Sequence, residues 1–224
     1  MAYLSIPVSQ HFASDELPAA VRAALGKSLR RVAAINQLAV IGARAAVPES
    51  RRQSPSALLW QSTGGPRHET QSLLREVCAG SGEAMPYDFL AIQPALAGAQ
   101  IQGFLPGLQT ASYFPLDNEM TAQWALLLNL ALNLLDEGRH AQVLCAYLEL
   151  RPGFAVGHWL SLSPQPLEDS TLRLQRAGQP ASENLPDTPD FPRQLEHWLE
   201  QRNSATLNLQ SPAGYRQALE FTRL

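Results

Sequence analysis

GLQTASYFPLDNEMTAQWALLLNLALNLLDEG, residues 107–138, decides the fold. Leu108–Phe114 reads as a short strand. Met120–Glu137 reads as a long helix that Gly138 closes. Trp124, Leu127, Leu128, Ala131, Leu132 and Leu135 cover most of the helix circumference, so burial on nearly all sides is expected. That burial has two readings, the core of its own domain or a share in a subunit interface. The junction between the two elements holds Asp117, Asn118, Glu119, Met120 and Thr121, and no cysteine. Asp117 and Glu119 complement the helix dipole and can cap its free amides. A helix start is a place to lower a thiol pKa or hold an oxyanion, and acidic side chains there oppose both.

Outward from this stretch, strands alternate with helices. Tyr3–Val8 is a short strand candidate. Asp15–Leu25 is a helix with Ser14 as its cap, Pro18 in its first turn and Gly26 at its end. Leu29–Val47 repeats apolar residues at helical spacing until Pro48. Ala57–Gln61 is a buried strand running into the turn Ser62–Gly65. Glu69–Cys78 and Asp88–Gly103 read as helices, and Gln142–Glu149 as a buried strand. The alternation argues for a layered α/β fold with a central sheet and a buried helix. After Ser161, Pro164, Pro166, Pro180, Pro186, Pro189 and Pro192 punctuate a polar stretch that reads as a surface loop. A helix over Phe191–Arg202 and a hairpin of Ala205–Leu209 with Gln217–Thr222 follow. The reading sets residues 1–161 as one domain, with 162–224 packed on it.

The chain of 224 residues has a net charge of -3, from 17 basic and 20 acidic side chains. No clustered basic face suits nucleic acid. Cys78 and Cys145 lie far apart in apolar company and read as buried hydrophobes in a reducing compartment. No secretory leader or spanning segment is recognised, so a cytoplasmic protein is expected. The five histidines lack metal-ligand spacing, and no cofactor is expected. The Ser62–Gly65 turn lacks the lysine of a phosphate loop. Ser112, Thr110 and Thr121 carry hydroxyls near the junction, without the glycine pattern of a nucleophile elbow.

Four segments in order resemble the N-terminal half of a β-ketoacyl synthase, a thiolase-fold condensing enzyme. They are RRVAAINQLAVIGARAAV (30–47), SALLWQSTGG (56–65), PYDFLAIQPALAGAQIQGFLPGLQTAS (86–112) and ALLLNLALNLLDEGRHAQVLCAYLE (125–149). The resemblance covers about residues 29–150. It implies a thiolase-like layered fold, a single and incomplete half. Counted back from Gly138, the family's catalytic cysteine falls near Thr121. Counted forward from Gly107, it falls near Leu116. Neither count meets a cysteine, and nothing after Ser161 resembles the half that carries the histidine pair.

Within that family, the chain resembles the short chain-length-factor subunits of aryl-polyene-type type II polyketide and fatty-acid systems. The resemblance implies a non-catalytic subunit that pairs with an active ketosynthase and meets an acyl carrier protein through the complex. The strand Leu108, Gln109, Thr110, Ala111, Ser112, Tyr113 would pair across the dimer axis. Phe114, Leu116, Met120 and Trp124 would project toward the partner's acyl channel. The alternative is an independent acyltransferase or thioesterase using Ser112 or Thr121.

Overall fold

In a computed structural model, the structure describes residues 1–30, 32–79, 86–118, 122–177, 183–201, 204–210 and 218–224. The strands are β1 (Ala2–Ser5), β2 (Val8–Ala13), β3 (Ser56–Ser62), β4 (Leu108–Pro115), β5 (Gln142–Arg151), β6 (Phe154–Ser163), β7 (Ser170–Arg176), β8 (Asn184–Pro186), β9 (Thr206–Gln210) and β10 (Leu219–Arg223). The helices are α1 (Leu17–Leu25), α2 (Ala34–Ala46), α3 (Arg67–Ala79), α4 (Pro86–Ala91), α5 (Leu96–Gln102), α6 (Trp124–Asp136) and α7 (Phe191–Gln201). The strands form one mixed sheet in the order β4-β3-β5-β6-β1-β7-β10-β9-β8, and β2 pairs with β6. β3 runs parallel to both β4 and β5, and β5 and β6 form an antiparallel hairpin.

Two cores sandwich this sheet. Ala57 and Leu59 of β3, with Val143, Cys145 and Tyr147 of β5, face α6 and α7. Leu58 and Trp60, with Leu144, Ala146 and Leu148, face α1, α2 and α5. Both faces of these central strands are therefore apolar, which is why they read as unbroken hydrophobic runs. β7, β9 and β10 differ. Leu172, Leu174, Leu207, Leu209, Leu219 and Phe221 all enter the core beneath α7, so these strands alternate. Gly42 lets α2 approach β6, because a Cβ there would overlap the Trp159 indole.

The layered α/β fold with a central mixed sheet and a buried helix is as expected. α6 lies in the chain's own core, with Trp124, Leu127, Leu128, Ala131, Leu132 and Leu135 buried. Several local expectations change. The first strand continues past Pro7 as a second strand. Ser14 does not cap α1, whose N-cap is Glu16 without a side-chain cap bond. The second helix starts at Ala34 rather than Leu29. The helix expected over Asp88–Gly103 is two short helices, since Pro94 interrupts it. The expected proline-rich loop contains β7 and β8. Cys78 is exposed and only Cys145 is buried.

Candidate functional site

The junction begins where β4 ends. Leu116 donates its amide to the Ser62 carbonyl at 2.9 Å, tucking the chain under the end of β3. Glu119, Met120 and Thr121 lie outside the described residues. Leu116 and Trp124 are buried in the core shared with α7, and Phe114 packs partly against it.

The N-terminus of α6 is capped from a distance. Its N-cap residue, Gln123, makes no side-chain cap bond. Asp187 supplies the acceptors from the segment between β8 and α7. One carboxylate oxygen accepts the Trp124 amide at 2.8 Å and the other accepts the Ala125 amide at 3.0 Å. The Asp187 carbonyl accepts the Ala122 amide at 3.3 Å, and Gln61 Oε1 accepts the Gln123 amide at 2.7 Å. Four successive amides at the helix start thus have partners. Asp187 is buried, and burial pushes its pKa up to about 6 against the opposing pull of the two amides. Of the two residues expected to cap this helix, Asp117 is exposed and Glu119 lies outside the described residues. Nothing local in the sequence marks Asp187, because its partners lie about sixty residues upstream.

A second carboxylate locks the neighbouring turn. Glu149 is 3% exposed. It accepts the Thr63 amide at 2.8 Å and the Gly64 amide at 2.9 Å. Ser62 Oγ accepts the Gly65 amide at 2.8 Å. The amides that a phosphate would need are therefore occupied. A Cβ on Gly64 would sit 2.5 Å from the Glu149 carboxylate, so this close approach requires glycine. Burial, and then the charge of Glu149, push Tyr147 up to about 12 and also raise Tyr113. A cavity of about 620 Å³ lies beside this turn, walled by Gly64, Gly65, Arg67, His68, Glu149 and Arg151 among others, and Ser112 is not part of its lining.

β4 occupies an edge of the sheet, with β3 as its strand neighbour. Leu108 is buried, Gln109, Thr110, Ala111 and Ser112 are exposed, and Tyr113 and Phe114 are half-buried. The strand carries no charge in LQTASYFP. The opposite edge is β8, three residues long and ending in Pro186. Short length and proline are the usual protections of an edge, and β4 has neither along its exposed run.

Among the described residues, no hydrogen bond joins Ser112 or Thr110 to a histidine or carboxylate, so neither hydroxyl has a base in place. Thr121 lies outside the described residues. His158 Nδ1 meets Ser9 Oγ at 3.0 Å. Burial lowers its pKa to about 4, which makes it a weak base. Among the described residues, no histidine, cysteine or carboxylate group is arranged to hold a metal ion, and no helix is long and apolar enough to cross a membrane.

No family model and no curated protein matches the sequence. Solved structures do match in shape. A chain of the ketosynthase ApeO in complex with its chain length factor ApeC, from Xenorhabdus doucetiae, superposes with a TM-score of 0.59 at 17% identity, covering 99% of each chain. A chain of the ishigamide ketosynthase/chain length factor gives 0.58 at 10% identity, covering 99% of this chain and 98% of that one. A chain of AntDE:AntF, a type II polyketide acyl-carrier protein in complex with its ketosynthase bound to the hexaketide, gives 0.61 at 9% identity, covering 100% and 99%. The sheet that carries β4, the turn after β3 and the buried helix α6 thus form a β-ketoacyl synthase-like, thiolase-type fold, similar to chains found in ketosynthase–chain length factor structures.

Proposed function

We propose that this chain is a non-catalytic chain-length-factor subunit. It pairs with an active ketosynthase in polyketide or fatty-acid-type chain elongation and meets the acyl carrier protein through that complex. The observation that carries this reading is β4, an uncharged eight-residue edge strand with four consecutive exposed residues, on a fold shared with ketosynthase–chain length factor chains. Such an edge is a template for main-chain pairing with a second sheet. The helix end beside it supports the non-catalytic part of the reading. Among the described residues, its first amides are taken by Asp187 and Gln61, which leaves those four unavailable to a developing oxyanion. Phe114, half-buried at the end of β4, is the side chain we assign to limiting the partner's acyl channel. Met120 joins it in that role on the sequence argument alone.

The test is co-expression with an active ketosynthase from the same source, followed by size-exclusion chromatography with light scattering. A stable one-to-one complex is expected, together with self-association of the chain when it is alone. A monomer that ignores the synthase sinks the proposal.

A further inference from the structure

We propose that Asp187 is an internal plug: its carboxylate fills the anion-receiving end of α6 and ties the C-terminal segment to the junction that follows β4. The inference goes beyond the pairing role and stands without it. Three observations carry it. The two carboxylate oxygens of Asp187 divide the first two helical amides between them, at 2.8 and 3.0 Å. The side chain is buried although its segment is otherwise partly exposed. The same segment is anchored on both sides of it. Ahead of it, the Asn208 amide donates to the Glu183 carbonyl at 2.9 Å. After it, Phe191 packs on Trp124 with ring centroids 6.4 Å apart.

Asp187 therefore does inside the molecule what a bound carboxylate or oxyanion would do at an open helix end. Among the described residues, no charged side chain acts on its carboxylate. Burial raises its pKa and the two helix amides oppose the rise, whereas its neighbours Asp190 and Arg193 act on His158. The plug has a structural consequence. Displacing it exposes two amides at the centre of the fold, so the helix end stays shut unless the segment leaves with it.

The test is amide-resolved hydrogen exchange on the full chain carrying Asp187→Ala, with sodium formate against sodium chloride at matched ionic strength. The Trp124 and Ala125 amides should exchange on the order of tenfold faster than in the parent. Formate at about 0.1 M should restore at least half of the lost protection, and it should leave the parent unchanged. Unchanged protection, or accelerated exchange that formate does not slow, overturns the proposal. Should Asp187→Ala fail to fold, Asp187→Asn serves instead. It keeps one acceptor, so one of the two amides should exchange faster while the other holds, and equal protection of both at parental rates refutes the plug.

Discussion

Asp187 and Trp124 stand 63 positions apart and share a 2.8 Å hydrogen bond. The carboxylate in that bond titrates near 6 rather than at 3.8. The folded state therefore binds its proton more readily than the unfolded chain does. The stability this proton contributes is complete below about pH 4 and is lost as pH rises through about 6. His158 acts in the opposite sense. Its folded pKa lies near 4 against 6.5, so its contribution is lost as pH falls. The difference between the parent and Asp187→Asn isolates the aspartate. We expect the parent to lose on the order of 1–3 kcal/mol between about pH 4 and 7 relative to the variant. Denaturant titrations at several pH values measure it, and parallel curves refute it.

Glu149→Ala removes the acceptor of two part-buried turn amides. A cost of about 1–3 kcal/mol is expected, seen as a thermal midpoint lower by roughly 2–12 °C for a chain of this size. Gly64→Ala should destabilise by a comparable amount through contact with the same carboxylate. Combining Gly64→Ala with Glu149→Ala should cost less than the sum, because the clash is gone.

Thr110→Lys with Ser112→Lys places two charges on the exposed run of β4. Charged residues blunt edge pairing. The variant should keep its thermal midpoint within about 2 °C, as surface changes do. Its affinity for the ketosynthase should fall by at least about tenfold, or about 1.4 kcal/mol. Calorimetric titration distinguishes this from unfolding, and unaltered affinity removes β4 from the interface.

Phe114→Ala trims a half-buried ring at the end of the edge strand. The expected result is a longer product from the reconstituted ketosynthase complex, with complex stability retained. Mass spectrometry of the products decides it, and an unchanged product distribution excludes a channel-limiting role for this ring.

The central strands were readable because both their faces are buried, so SALLWQ and QVLCAYLE stand out as apolar runs. β7 was not readable. Leu172 and Leu174 give only two apolar positions in alternation, amid polar residues between prolines. The split of α4 from α5 was marked by Pro94, yet the alanines around it carry a helical pattern across the break. Of the site, β4 and the Ser62–Gly65 turn were visible as local patterns. Asp187 and Glu149 were not, because each acts on amides about sixty or more residues away, and only the fold sets that proximity.

The two ends of the sheet differ in a way that bears on how such molecules accumulate. β8 is three residues long and closes on a proline, whereas β4 is eight residues long and meets its proline only after its exposed run. Of these two ends, β4 is the one open to main-chain bonding. A pair formed edge to edge through β4 covers the long open end of this chain's sheet and leaves only the short end at β8. Pairing of that kind favours a closed pair over a growing fibre.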